Sequence, residues 1–122
     1  MIALGSNTSN AVAPILKTLN DHFGTRRAST TTVKAMSNSG RLADVPTDSF
    51  RTSRAAGENI IPAATNSAEI IAQALPELAG RMTATALNVP VTDGSTVDMV
   101  TEIDGETSED EVNKVVKEAV AS

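Results

Sequence analysis

Apolar residues near the start of the chain recur every three or four positions, which is the spacing of an α-helix. The residues on this stripe are Val12, Ile15, Leu16, Leu19 and Phe23. Gly24 follows the last of them, and glycine is favoured just past a helix end because it accepts a positive φ. The pattern predicts a first helix over residues 10–23. Pro14 fits if it lies in the opening turn, and bends the helix slightly if the helix starts at Asn7.

Two further helices are predicted. Asn66 or Ser67 can cap a helix over residues 68–75, because short polar side chains accept a hydrogen bond from the first helical turn. Ser108 followed by Glu111 forms a capping-box pattern for a final helix. The apolar face of that helix consists of Val112, Val115, Val116 and Ala119.

Three segments rich in Thr and Val predict β-strands, at residues 29–36, 82–91 and 95–103. The dipeptide at residues 93–94 is Asp-Gly, which is typical of a tight hairpin turn, so we expect the last two strands to pair with each other. Residues 37–58 are polar and have no sustained period. They predict a long loop, and loops of this length inside a domain are usually functional or cover an interface.

The composition indicates one small domain over residues 1–122 with a thin core. Apolar residues make up 40% of the chain, many of them alanine, and the aromatic residues are two phenylalanines. Burial stabilises a fold by about 25 cal/mol per Å² of apolar surface, so such a core has little surplus over the entropy of the chain. We therefore expect a marginally stable monomer that is supported by self-association or by a protein partner.

Charge and residue usage exclude several classes of function. The net charge of -5 argues against nonspecific nucleic-acid binding, which needs a basic surface. A chain with no cysteine and one histidine offers neither a thiol nucleophile nor a zinc site, and the acidic residues 104–111 lack the spacing of a calcium-binding EF-hand. No segment approaches the length of a membrane span and the start lacks the pattern of a signal peptide, so we expect a cytoplasmic protein.

A glycine-rich dinucleotide-binding motif is also missing. No Gly-x-Gly-x-x-Gly sequence follows a predicted strand, and the glycines are scattered along the chain. The chain alone is therefore expected to bind no NAD and no other cofactor.

Six short stretches match the motifs of one enzyme family, in the same order. They are SNTSNAVAP at residues 6–14, LNDHFG at 19–24, TTVKAMS at 31–37, RTSRAAGENIIP at 51–62, LPELAG at 75–80 and ALNVP at 86–90. They resemble the SCTTNCLAP, LNDxFG, TTVHAYT, RRARAAAENIIP, LPELxG and LRVP segments of the glyceraldehyde-3-phosphate dehydrogenase family. The resemblance implies the catalytic domain of that family, an α+β fold with a mixed or antiparallel sheet and helices packed on one face. It covers part of that domain, so we expect a truncated sheet with open edges.

The resemblance also implies that the reactive residues are replaced. Asn7 stands where the family has its cysteine nucleophile, Lys34 where it has the histidine that activates the cysteine, and Asn88 where it has an arginine that grips substrate phosphate. We expect Asn7 to be a helix N-cap or turn residue. Lys34 is expected to be a solvated lysine or to hydrogen-bond to Asn7, the alternative being a Schiff-base lysine. Asn88 is expected to be a polar strand residue.

Two groups of residues remain as candidate binding sites. Ser6, Ser37, Ser39 and Thr65 match hydroxyl positions of the family's phosphate pockets, and they could hold an anion weakly without the arginine. Phe50, Arg51 and Arg54 lie in the 37–58 loop, which in the resembled family packs between subunits near the cofactor. We expect these three residues to form an interface, the alternative being that Phe50 fills the core.

The sequence therefore predicts a non-catalytic structural or interaction module that self-associates. Two alternatives stay open. The chain could be a component of an NAD-dependent aldehyde-phosphate dehydrogenase whose cofactor domain lies on another chain, or it could be an engineered scaffold.

Overall fold

The computed structural model describes residues 5–37 and 40–121. Among them, three α-helices, a short 3-10 helix and four β-strands follow one another along the chain. They are α1 (Asn7–Phe23), β1 (Thr25–Ala35), β2 (Ile61–Ala63), α2 (Ser67–Ala74), the 3-10 helix Pro76–Leu78, β3 (Met82–Val89), β4 (Ser95–Ile103) and α3 (Glu109–Ala121). The predicted α+β class is confirmed. No helix in the described part of the chain is long and apolar enough to cross a membrane.

The four strands form one mixed sheet in the order β2-β3-β1-β4. β2 pairs antiparallel with β3, with Ile61 opposite Asn88. The neighbours β1 and β3 run parallel. Thr83 Oγ1 donates to Ser29 Oγ at 3.1 Å, and two residues further along both strands Thr85 Oγ1 donates to Thr31 Oγ1 at 3.0 Å. The prediction left a mixed or an antiparallel sheet open, and the structure has the mixed sheet.

The predicted hairpin between the last two strands is wrong. β1 lies between β3 and β4, so these two strands are not hydrogen-bonded neighbours. The local turn chemistry is as expected, since Gly94 has a φ of 87° and its N–H donates to the Asp93 carboxylate at 2.7 Å. A turn signal reports local backbone conformation, whereas strand pairing here is decided by residues more than fifty positions earlier in the chain.

The start of α1 decides between the two positions predicted for Pro14. Ser6 occupies the N-cap position, and its hydroxyl accepts a hydrogen bond from the N–H of Ser9 at 3.1 Å. The helix therefore begins at Asn7, and Pro14 lies inside it. The other end follows the prediction, because Gly24 has a φ of 66° and donates its N–H to the carbonyl of Asn20 at 3.0 Å.

The chain divides into two compact units. The first is drawn from the described residues of Met1–Ser29, Asn66–Thr83 and Met99–Ser122, and it contains all three helices. Within it, α1 contacts both α2 and α3. The buried apolar residues of this unit are Val12, Leu16, Leu19, Ala28, Ile71, Leu75, Leu78 and Val115. Most of the buried apolar side chains of the described residues thus belong to the helical unit.

The second unit comprises Thr30–Thr65, with Ser39 and its neighbour 38 outside the described residues, and Ala84–Asp98. Its buried apolar residues are Ala56, Ile61 and Ala86. Between β1 and β2, the described residues contain turns and bends but no helix or strand. This unit has little buried apolar surface of its own, which agrees with the thin core that the composition predicts.

The helix predictions at the other two positions are close. α2 begins at Ser67 with Asn66 at the N-cap position, although the Asn66 side chain makes no capping hydrogen bond. At α3, the Ser108 hydroxyl accepts from the N–H of Glu111 at 3.2 Å, as a capping box requires. The Glu111 carboxylate accepts from Thr107 instead of turning back to the Ser108 backbone. The sequence therefore located both helices and half of the capping box.

Candidate functional site

Asn7 is the first residue of α1 and its side chain is exposed. The prediction that Asn7 is an N-cap or a turn residue is wrong, because the N-cap is Ser6, whose hydroxyl accepts from the N–H of Ser9, and Asn7 lies inside the helix. The first N–H groups of a helix have no partner within the helix, and the helix dipole adds a partial positive charge there. Asn7 therefore occupies a position that favours a negatively charged side chain, but its amide carries no charge.

Lys34 and Asn88 lie side by side on neighbouring strands of the second unit. Ser29 pairs with Thr83 and Thr31 pairs with Thr85, so the register of β1 and β3 differs by 54 residues and places Lys34 next to Asn88. Both are half-buried. Because side chains alternate between the two faces of a strand, they share the face on which the neighbouring residues Thr32 and Ala86 are buried.

This pair has donors and acceptors but no nucleophile of the family type. A lysine ammonium has three donors and no acceptor, and an asparagine amide is neutral. The predicted hydrogen bond between Lys34 and Asn7 stays a prediction, since Asn7 belongs to the first unit. Within residues 5–37 and 40–121, no group of three or more His, Asp or Glu side chains is arranged to hold a metal ion.

The predicted anion-binding hydroxyls are divided between the units. Ser6 belongs to the first unit, and its hydroxyl is already engaged by the N–H and the hydroxyl of Ser9. Ser37 follows β1 and Thr65 follows β2, both in the second unit, and each already takes part in an interaction. Ser39 lies outside the described residues. Ser6 is thus committed to capping α1.

Phe50 is 93% exposed, so the alternative that it fills the core is wrong. It borders a shallow groove of about 350 Å³ that is also lined by Arg51, Arg54, Asn59, Ile60, Ile61 and Pro62. We call Phe50, Arg51, Arg54 and Ile60 the Phe50 surface. Arg54 pairs with Asp44 at 3.2 Å, and both side chains are exposed. The three residues predicted to form an interface therefore do lie around one groove.

A network of hydroxyl groups holds the segment that carries Phe50. Ser53 donates its N–H to the carbonyl of Ser49 at 3.1 Å, which closes one turn around Phe50. The Ser53 hydroxyl also donates to the Ser49 carbonyl at 2.7 Å and lies 2.8 Å from Thr47 Oγ1. Such local side-chain bonds replace regular secondary structure in ordering a turn. The turn places the Phe50 ring in solvent.

Ile60 is the member of this surface that sequence reasoning missed. It is 65% exposed, whereas the adjacent Ile61 is buried at the start of β2. Strand alternation would have assigned the two isoleucines to opposite faces, but β2 is three residues long and was not predicted. Because β2 was not predicted, nothing in the sequence pattern placed Ile60 on the exposed side.

Comparison with known proteins identifies the family. Residues 6–122 match the family model described as glyceraldehyde 3-phosphate dehydrogenase, C-terminal domain. The chain belongs to the glyceraldehyde-3-phosphate dehydrogenase family. It is 42% identical to the glyceraldehyde-3-phosphate dehydrogenase of Priestia megaterium over 119 residues, which are 98% of this chain and 36% of that protein. Glyceraldehyde-3-phosphate dehydrogenase 1 of Bacillus subtilis gives the same values. Glyceraldehyde-3-phosphate dehydrogenase 2 of Saccharomyces cerevisiae is 39% identical over 120 residues, which are 98% of this chain and 36% of that protein.

The chain thus spans about a third of the length of these glyceraldehyde-3-phosphate dehydrogenases. The resemblance drawn from the six sequence motifs is confirmed over nearly the whole chain. Asn7, Lys34 and Asn88, the positions that the resemblance implies to be replaced, all lie within the matched residues.

Proposed function

We propose that this chain is a non-catalytic interaction module of the glyceraldehyde-3-phosphate dehydrogenase family and that it self-associates. The proposal that the chain is non-catalytic rests on the absence of cysteine from all 122 residues. Thiol-based acyl transfer needs a thiolate that attacks the aldehyde carbon. The amide of Asn7 has no comparable nucleophilic form, so the step has no reactant at this position.

The residues beside the missing thiol support the same proposal. An ammonium at Lys34 cannot accept the proton of a nucleophile, which is the task of a general base. Asn88 supplies no charge, whereas recognition of a phosphate group gains most from a charge-assisted arginine pair. Asn7, Lys34 and Asn88 therefore supply no thiol nucleophile, no general base and no phosphate-binding arginine.

An activity assay tests this proposal. The purified chain is incubated with glyceraldehyde 3-phosphate, inorganic phosphate and NAD, and NADH formation is followed by absorbance, with the Bacillus subtilis enzyme as the positive control. We expect no rate above the background without protein. A rate that rises in proportion to the chain concentration and falls in the Lys34→Ala variant would show that the chain is catalytic.

The proposal that the chain self-associates rests on its exposed apolar side chains. Neither phenylalanine is buried, and the large apolar residues left exposed among the described residues include Leu42, Phe50, Ile60 and Val100. Aromatic and arginine side chains are enriched at the energetic centres of interfaces, and the Phe50 surface combines both types. We propose that this surface contacts a second copy of the chain.

Sedimentation velocity at several concentrations tests the contact surface. We expect the wild-type chain to exceed its monomer mass of 12.6 kDa and Phe50→Ser to shift the distribution toward smaller species. Leu42→Ser is the matched control, because Leu42 is an exposed apolar residue of the same loop outside the groove around Phe50. A concentration-independent monomer contradicts self-association. An equal effect of both variants contradicts the assignment to Phe50.

Weak anion binding at the hydroxyl positions is a second, smaller proposal. Ser37 and Thr65 retain hydroxyl groups of the type that bind phosphate, but without an arginine we expect dissociation constants in the millimolar range or weaker. Titration with inorganic phosphate, followed by NMR shifts of the amides beside these residues, measures this affinity. Saturation at micromolar phosphate would contradict the expectation.

A further inference from the structure

The turn that precedes β4 contains an aspartate followed directly by a glycine, Asp93 and Gly94. Both residues are exposed. The N–H of Gly94 donates to Oδ1 of Asp93 at 2.7 Å. A carbon–oxygen bond is about 1.2 Å long, so the side-chain carbon Cγ of Asp93 lies within about 4 Å of the Gly94 nitrogen. A backbone nitrogen and an electrophilic carboxyl carbon are therefore held close together.

The glycine keeps this nitrogen accessible. Gly94 has a φ of 87°, and nothing lies within 4 Å of the position that a Cβ would take there. A side chain at this position would disfavour the positive φ and would also crowd the nitrogen. The turn therefore combines a close contact with an unobstructed approach to the carboxyl carbon.

We propose that Asp93 is a site of spontaneous isomerisation to isoaspartate, and that the fold selects it over the second Asp-Gly pair of the chain, Asp104 and Gly105. The reaction is independent of the proposed self-association, because both reacting groups belong to the same turn of one chain. The co-reactant is water.

The chemistry has two steps. In the first step the Gly94 nitrogen forms a bond to Cγ of the protonated Asp93 carboxyl group. The bond from Cγ to the hydroxyl oxygen breaks, and the hydroxyl leaves as water together with the proton of the Gly94 amide. The product is a five-membered succinimide ring. In the second step water adds to one of the two ring carbonyls and opens the ring, which gives either aspartate or isoaspartate.

Asp104 is followed by the same residue type, but its carboxylate is held by a cation. Asp104 and Gly105 are exposed, so access of water does not distinguish the two pairs. Oδ1 of Asp104 accepts from Nε of Arg26, and Oδ2 lies over Gly24, 2.8 Å from the position of a Cβ there. The Asp93 carboxylate forms no ion pair with any residue of the described ranges. Because ion pairs between exposed side chains are weak, we expect the restraint on Asp104 to slow its reaction by about two- to fivefold.

Isomerisation at this turn would lengthen a backbone segment that is anchored to β1. The carbonyls of Val91 and Gly94 accept from the N–H groups of Met36 and Ala35, each at 3.1 Å. In isoaspartate the main chain runs through the side-chain carbon, so one carbon is added between these two anchors. Hydrogen bonds weaken steeply when their geometry is distorted. We therefore expect faster hydrogen exchange at the Ala35 and Met36 amides of the isomerised chain.

Peptide mapping of the aged full chain tests the site. The peptide that contains residue 93 should give a second species of the same mass, which resists a protease that cleaves before aspartate and accepts a methyl group from an isoaspartate-specific carboxyl methyltransferase. Asp93→Glu is the matched control, because it keeps the carboxylate but would have to close a six-membered ring. We expect no second species from this variant.

A parallel sample in urea separates the effect of the fold from that of the neighbouring residues. At each Asp-Gly pair, the rate in the folded chain is divided by the rate in urea. We expect this ratio to be about two- to fivefold higher at Asp93 than at Asp104. An equal ratio at the two pairs, or a folded chain without isoaspartate at position 93, overturns the proposal.

The variant Arg26→Ala tests the selection between the two pairs. It removes the ion pair of Asp104, so the rate at Asp104 should rise by about two- to fivefold while the rate at Asp93 stays the same. Lys17→Ala is the control, because it removes an exposed ion pair with Asp21 that involves neither pair. No rise at Asp104, or a rise of the same size at Asp93, overturns the selection by the fold.

Discussion

Placing a cysteine at position 7 tests whether the helix start still provides the environment that a nucleophile needs. Asn7 is exposed at the first position of a 17-residue helix, beside N–H groups that the helix leaves unpaired. A negative charge at such a position gains about 0.3 to 1 kcal/mol. One pKa unit corresponds to about 1.4 kcal/mol. The thiol of Asn7→Cys should therefore have a pKa about 0.2 to 0.7 units below the value of about 8.5 for an unperturbed cysteine.

The assay is the rate of alkylation by iodoacetamide as a function of pH, since the thiolate is the reactive form. Ile15→Cys is the control, because Ile15 lies two turns further along the same helix and is 41% exposed. The midpoint for Asn7→Cys should lie below that of the control. An equal or higher midpoint would refute the argument that α1 keeps an anion-stabilising start. Asn7→Cys should still lack dehydrogenase activity, because Lys34 and Asn88 are unchanged.

Two stability predictions follow from the first unit. Gly24→Ala and Gly80→Ala should each destabilise the fold by about 1 to 3 kcal/mol, because both glycines have a positive φ and the added Cβ has open space at Gly80 and meets only the movable end of the Asp104 side chain at Gly24. Urea unfolding measures both, and a loss near zero in either variant would contradict the backbone conformation. Leu16→Ala should cost about 2 to 5 kcal/mol, since Leu16 is fully buried, whereas Ile15→Ala on the exposed side of α1 should cost less than about 1 kcal/mol. Similar losses in the two helix variants would contradict the assignment of the core.

The elements that the sequence predicted well are those determined by local pattern. The apolar stripe and Gly24 gave the end of α1, and the alternation of residues 95–103 gave the bounds of β4. The prediction missed β2, because three residues are too few to show a period and their pairing with β3 is non-local. At the site, the motifs located Asn7 and Lys34, but the exposure of Phe50 depends on hydroxyl contacts that no periodicity reveals.

The insertion of β1 between β3 and β4 connects the error in topology with the proposals about function. Because β1 is the neighbour of β3, Lys34 lies beside Asn88 on one face of the sheet. Because β1 uses the other side of its backbone for β4, the last two strands of the chain are separated by the first one. The same strand order thus sets Lys34 beside Asn88, a pair that includes no thiol nucleophile, which is one reason why we propose that this chain acts through its contacts.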